Sequence, residues 1–294
     1  MESFAFEAPT SLDAALALLD DRARSSVRTQ ILAGGTDMMV QLRGVDTAPR
    51  VIIDIKRIPE TRAIDVSAEG LTLGSAVPAA EITAREDVAA LWPGLVEAID
   101  LIGSTQIQGR ASVGGNLCNA SPAGDTIPAL IANDAVCLIA SKSGRREVAV
   151  EDFVVGVGRN ALQAGEMLLA LRFPQPPKAS GDAYLRFIPR TEMDIAVASA
   201  GVRVTLADDG TIASARVSIG AVATTALLLP EAAAALVGTK GDDAALAALA
   251  AACSAAAKPI TDKRGTVEYR TRVVGVLARR AATIALARAR GENA

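Results

Sequence analysis

Two stretches of this 294-residue chain have residue types and spacing suited to chemistry, Ala33-Gly34-Gly35-Thr36-Asp37 and Ser112-Val113-Gly114-Gly115-Asn116. The second runs on through Asn119 and Gly124 to Asp125, so both end in a carboxylate. Adjacent glycines let the backbone approach a ligand with no Cβ in the way. Successive free N–H groups in such a turn form a concavity that suits phosphate. One glycine pair is usually only a turn. Two pairs, each bounded by apolar runs, suggest a ligand with a long phosphate-bearing body, such as a dinucleotide. Residues 112–125 hold three Gly, two Asn, two Ser and one Pro. That composition is poor for helix and strand alike, so the stretch reads as a loop.

Periodicity indicates the elements that must hold these stretches. Residues 28–32, with Ile31 and Leu32, read as a strand entering the first cradle, and 38–42 as a short helix behind it. Thr10-Ser11-Leu12-Asp13 places an acid three residues after a hydroxyl, a capping-box pattern. Leu12, Leu16 and Leu19 then share one helix face. The β-branched run 51–55 is a buried strand. A strand over 70–76 ends at Pro78, with helices over 79–84, 91–102 and 128–133. Residues 136–140 and 147–150 form a hairpin around Ser143-Gly144. The cradles are expected to face each other across the seam between two lobes, 1–58 and 59–176.

Gly156-Val157-Gly158-Arg159-Asn160-Ala161 matches the dinucleotide pattern G-x-G-x-x-A. It does not read as a Rossmann site. Lys178 stands where the acid should be, and Pro174, Pro176 and Pro177 cut the chain before a βαβ unit closes. The segment 174–181 is instead the domain boundary, separating 1–176 from 177–294. Beyond it, 184–188, 196–206 and 212–221 read as an antiparallel sheet with a turn at Asp209-Gly210. Alanine-rich helices follow over 229–237, 243–257 and 267–290, an α+β order. The last helix carries Arg270, Arg272, Arg279, Arg280, Arg288 and Arg290 beside a stripe of Val273, Leu277, Ala281 and Ile284. These arginines read as a solvated face or as contacts between subunits.

Composition narrows the function. Half of the residues are hydrophobic, enough for two cores. A net charge of −3 and 3% aromatics give neither the basic stripe nor the stacking platform of a nucleic-acid binder. No uncharged run reaches the roughly 20 residues of a membrane span. Met1-Glu2-Ser3-Phe4 lacks signal-peptide features. A soluble, cytoplasmic protein is expected. The chain has no histidine, which removes Ser-His and Cys-His catalysis and His-ligated metal. Cys118, Cys137 and Cys253 are too few for an iron–sulfur cluster, which takes about four thiolates. Each reads as a small buried hydrophobe.

Ala33-Gly34-Gly35-Thr36-Asp37, then Leu73-Gly74-Ser75-Ala76, then Ser112 to Asp125, resemble in that order the FAD-binding medium subunit of the molybdenum hydroxylases. That family includes xanthine dehydrogenase and carbon monoxide dehydrogenase. The resemblance covers nearly the whole chain. It implies an α+β fold with a two-lobed FAD-binding domain of PCMH/vanillyl-alcohol-oxidase type. The C-terminal domain typical of these medium subunits follows, with a three-stranded antiparallel sheet and a helical bundle. The likeness implies FAD held by Ile31, Leu32, Ala33, Gly34, Gly35, Thr36 and Asp37 on one side. Ser112, Val113, Gly114, Gly115, Asn116, Asn119, Gly124 and Asp125 serve the other. By the same likeness Asp125 accepts from a ribose or adenine group; read alone it equally caps the helix near Pro128. Arg186 stands where the family places a cation near the flavin; read alone it is a surface ion pair. Met167 and Leu168 fall in the flavin-contact segment, and Ile195 of Glu192-Met193-Asp194-Ile195-Ala196 lies against the ring; without the likeness these read as plain core. The loop 156–161 closes the FAD domain.

The resemblance also implies partners: a large molybdenum-cofactor subunit and a small [2Fe-2S] subunit, assembled as a dimer of heterotrimers. No metal ligand or catalytic residue beyond the flavin is then expected in this chain. Its role is to collect electrons on FAD and pass them to an external acceptor. In carbon monoxide dehydrogenase the similar medium chain has a histidine where Thr36 stands here, which points to an organic, heteroaromatic substrate. The alternatives are a stand-alone FAD oxidase of the same fold, which needs an acid–base group of its own, and a nucleotide-binding regulatory module.

Overall fold

A computed structural model of the chain describes residues 4–25, 27–43 and 49–292. The reading of Met1 to Ser3 lies outside them. β1 (Ala5–Glu7), β2 (Arg28–Leu32) and β3 (Arg50–Asp54) form a parallel sheet in the order β1-β3-β2. α1 (Leu12–Ala23) packs by Leu12, Ala15, Leu16 and Leu19. Its N-cap is Ser11, whose hydroxyl accepts from the Ala14 N–H. The capping box expected from Thr10 and Asp13 is therefore not the one used. Ser11, with φ −136 and ψ 154, has the extended backbone that an N-cap takes. α2 (Met38–Gln41) follows the first cradle.

The second lobe is a five-stranded antiparallel sheet in the order β4-β5-β10-β6-β7. Its strands are β4 (Ile64–Ser67), β5 (Gly70–Gly74), β6 (Val136–Ser141), β7 (Gly144–Ala149) and β10 (Met167–Pro174), while β8 (Val154–Gly156) and β9 (Arg159–Asn160) pair as a separate ribbon. Between β5 and β6 run α3 (Ala79–Thr83), α4 (Glu86–Leu91), α5 (Pro93–Asp100), α6 (Thr105–Gln108), α7 (Val113–Cys118) and α8 (Ile127–Ala132), and α9 (Val150–Phe153) follows β7. The helix expected over 91–102 is broken at Trp92. Pro93 clashes with a helical backbone at the residue before it, and Trp92 takes φ −131, ψ 59 instead. Leu71, Leu73, Trp92, Leu95 and Phe173 anchor this lobe's core. A second cluster ties α1 and β3 to Met167 and Leu169 of β10, so the lobes share apolar packing.

The C-terminal half is β11 (Ser180–Phe187), β12 (Ala198–Leu206) and β13 (Ile212–Gly220) in antiparallel register, as read from the sequence. A two-residue β14 (Leu227–Leu228) adds a short fourth strand at the β13 edge. α10 (Pro230–Ala234), α11 (Asp243–Ala256) and α12 (Val267–Ala289) cover the sheet, with Val202, Val217, Leu249, Val274 and Ala278 in the core. The arginines of α12 are not all solvated. Arg270 is 4% exposed, donates to the Val197 and Ala221 carbonyls at 2.9 and 3.3 Å, and pairs with Asp262 at 2.6 Å. Arg288 reaches the Asp182 carbonyl and Glu97. Long side chains near the ends of a packed helix can turn inward to orphan carbonyls, which a charge count does not reveal. No helix among the described residues is long and apolar enough to cross a membrane.

Candidate cofactor cleft

A cleft of about 700 Å³ opens between the two glycine cradles. Ile31, Leu32, Ala33, Gly34, Gly35, Thr36 and Asp37 form one wall. Ser112, Gly114, Gly115, Asn116 and Asn119 stand on another, and Leu168 also reaches the cleft.

The second cradle is not a loop. Val113–Cys118 is α7, capped by Ser112, whose hydroxyl accepts from the Gly115 N–H at 3.0 Å. Packing overrides the low helix propensity of its glycines. A Cβ on Gly114 would lie 2.5 Å from the Ser75 carbonyl oxygen, and one on Gly34 would lie 2.1 Å from that of Arg110. These two glycines let protein backbones touch each other, a need separate from any approach of a ligand. Gly115 differs: the nearest atom to its Cβ position is Ser112 Oγ at 3.1 Å. Gly35 has φ +80, a conformation that costs any residue with a side chain.

The walls present donors. Among the described residues, the N–H groups of Gly34, Gly35, Thr36 and Asp37 find no acceptor within the protein. Lys56 Nζ donates to the Ala33 carbonyl at 3.0 Å and to Asp54 at 2.8 Å, holding the entry to this turn. Asn116 Oδ1 accepts from the Thr126 N–H and hydroxyl at 3.2 and 2.8 Å, which leaves its amide N–H groups to spare. Gln41 donates to Asn119 at 3.3 Å and so links α2 to α7. Ser75 also lines the cleft; its residue is 3% exposed and its hydroxyl has no partner.

Other expected site residues lie apart from this cleft. Val113 and Met167 are core, each at most 1% exposed. Gly124 packs on Ile127, and Ile195 is 52% exposed. Asp125 pairs with Arg186 Nη1 at 2.6 Å, and Arg186 also donates to the Leu101 carbonyl at 2.8 Å. The Arg186 side chain is 3% exposed, so the pair is not a surface one. Asp125 does not cap α8, whose N-cap is Thr126. Burial pushes the Asp125 carboxyl up, Arg186 pulls it down, and the charge of Asp37 adds to the rise. Burial raises Asp37 as well.

Sequence reasoning passed over Lys56 and Arg22, which lines the cleft with a buried Nε that has no hydrogen-bond partner, and assigned no role to Ser75. No local pattern marks the first two, and only the Leu73-Gly74-Ser75-Ala76 motif drew attention to the third. The 156–161 loop lies at the cleft. Gly158 and Asn160 line it, the Gly158 N–H donates to the Ala120 carbonyl, and Asn160 Nδ2 donates to that of Cys118, both at 2.9 Å.

Two family models match the chain. One, described as the FAD binding domain in molybdopterin dehydrogenase, covers residues 2–176; the other, the CO dehydrogenase flavoprotein C-terminal domain, covers 183–285. The chain belongs to this family of molybdenum hydroxylase FAD subunits. Among its relatives is the carbon monoxide dehydrogenase medium chain of Afipia carboxidovorans, 32% identical over 98% of both chains. The nicotinate dehydrogenase FAD-subunit of Eubacterium barkeri is 32% identical over 71% of both. The carbon monoxide dehydrogenase structure from Hydrogenophaga pseudoflava superposes with a TM-score of 0.91 at 31% identity, covering 97% of this chain and 98% of that one. This FAD subunit is thus part of an oxidoreductase, and its fold is the one the resemblance implied.

The cleft suits the cofactor. Residues whose amides have no acceptor in the protein line a space of about 700 Å³, Gly115 leaves its wall open, and the buried Ser75 hydroxyl has no partner. Ser75→Ala should lower FAD affinity about fivefold, the worth of one neutral hydrogen bond. It should leave the FAD-free protein as stable or slightly more so, because an unpaired buried hydroxyl is removed. Fluorescence titration of FAD-free protein and its thermal midpoint check both arms.

Proposed function

We propose that this subunit holds FAD between Gly34–Asp37 and α7, takes electrons from [2Fe-2S] clusters of a small partner subunit, and hands them to an external acceptor. A large partner subunit holds the molybdenum cofactor and oxidises the substrate, and the whole forms a dimer of heterotrimers in the cytoplasm. The observation that carries this reading is the two-walled cleft with four free amides on one side. Those amides of Gly34, Gly35, Thr36 and Asp37 bind pyrophosphate oxygens from one wall. Ser112, Gly115 and Asn116 meet the cofactor from the other. Each charge-assisted bond is worth about 1.5–3 kcal/mol. Lys56 positions the first turn by its bond to Ala33, and the Asp125–Arg186 pair fixes the C-terminal half behind the cleft. Bound FAD supplies a carrier that accepts electrons singly or in pairs.

A chain without histidine lacks the commonest proton-transfer side chain, which favours substrate chemistry on a partner. Thr36, in place of the histidine of the carbon monoxide dehydrogenase branch, supports a heteroaromatic substrate. Relatives named for nicotinate and caffeine are consistent with that class. We also propose a domain division at 176/177, supported by cores that use residues 71–173 on one side, with Ala226 joining them, and 183–289 on the other.

The test is the isolated, FAD-loaded chain. Artificial one-electron donors should bleach its flavin absorbance, and heteroaromatic substrates should not. Steady turnover of an organic substrate by this chain alone would overturn the subunit reading.

A further inference from the structure

A second recess, of about 360 Å³, lies away from the cleft where α4 and α5 meet β11, β12 and the end of α12. Arg203 of β12 lines it and makes no hydrogen bond or ion pair with any described residue, and its Nη1 is shut off from solvent. A guanidinium stays charged, and a shielded charge without a partner is costly. The neighbouring acids are committed. Asp182, opposite Arg203 in the β11–β12 register, accepts from Asn133 at 2.7 Å. Its deep burial holds that carboxyl up, toward its neutral form. Asp134 and Glu151 pair with Arg216 at 3.2 and 2.8 Å. Glu97 pairs with Arg288, the other cation of the recess. Glu292, also on its wall, is exposed. The charges of Asp134 and Asp182 act on Arg203 from a distance, but neither carboxylate bonds its guanidinium, which stands beside the apolar surface of Leu91 and Pro93.

We propose that this recess binds a small oxyanion, the phosphate or carboxylate group of a metabolite, with Arg203 as its anchor. The Nε–Nη2 edge of Arg203, which is not among the shielded atoms, matches two oxygens of such a group. Apolar walls lower the local dielectric and strengthen the contact. The recess is lined by both halves of the chain, so the anion braces their seam.

The experiment uses full-length, FAD-loaded protein, so that the cofactor cleft is filled. Inorganic phosphate and, separately, acetate are titrated by calorimetry against chloride at constant ionic strength. Saturable phosphate binding assigns a phosphate-type ligand, and acetate binding alone assigns a carboxylate. Arg203→Gln should weaken binding about tenfold or more, the loss of charge-assisted bonds. It should also abolish the rise in thermal midpoint that the bound anion gives. Arg203→Lys, which keeps charge but not the fork, should fall between. The absence of saturable binding by either anion, or equal binding by folded Arg203→Gln protein, overturns the proposal.

Discussion

Gly34→Ala protein should lose a large part of its stability, whereas Gly115→Ala protein should fold well and bind FAD poorly. A Cβ at position 34 would stand 2.1 Å from the Arg110 carbonyl oxygen and 3.0 Å from the Ala111 Cα. Backbone atoms on both sides must move, and the expected cost is about 3 kcal/mol or more. At position 115 the nearest atom is 3.1 Å away and belongs to a side chain. Within α7 the change from Gly to Ala favours the helix by up to about 1 kcal/mol. The added methyl stands on the cleft wall, and FAD affinity should drop about tenfold to a hundredfold, equivalent to overpacking by about 1–3 kcal/mol. Thermal denaturation without FAD and flavin retention after gel filtration separate the two effects. Matching behaviour of the two variants would show that both glycines serve the same need.

Removing Arg186 should cost about 3–5 kcal/mol at neutral pH, the usual loss when one partner of a buried pair is deleted. Arg186→Leu leaves Asp125 with burial and the charge of Asp37, both of which push its carboxyl above the ordinary 3.8. A carboxyl raised in the folded state stabilises the fold below its unfolded pKa and loses that contribution as pH rises through the folded value. The variant's deficit should therefore be smallest near pH 4 and grow toward pH 7. Asp125→Asn in the same protein should recover most of the loss and flatten the pH dependence. Urea midpoints across that range test this; a deficit that is constant with pH would mean that Arg186 acts through packing and its bond to Leu101 alone.

Much of this was legible in the sequence because it is local. The strand into Ala33, the hairpin at Ser143-Gly144 and the alanine-rich helices follow from periodicity and turn chemistry. The two cradles face each other as their composition suggested. What escaped was non-local. Residues 113–118 are helical because Ser112 caps the turn, a local signal the composition hid, and because Gly114 must pass under Ser75, a contact that no window of neighbouring residues shows. Lys56 acts on Ala33 across 23 positions. Arg186 and Asp125, 61 residues apart, each had a plausible solitary role, and only the fold makes them one pair. Arg270 looked solvated because helical periodicity cannot foresee the carbonyls of Val197 and Ala221.

Every residue lining the candidate cofactor cleft lies between Leu19 and Leu168, while Arg186 and Arg216, the partners of Asp125, Asp134 and Glu151, come later in the chain. Ribosomes add about 5–20 residues per second, so during synthesis the nascent chain carries all the groups of the cleft before its counter-charges exist. In that interval Asp125, Asp134 and Glu151 face water as free carboxylates. They add hydrated charge to a seam that is otherwise apolar at Ala98 and Ala129. When Arg186 and Arg216 leave the exit tunnel, they meet carboxylates that are already made.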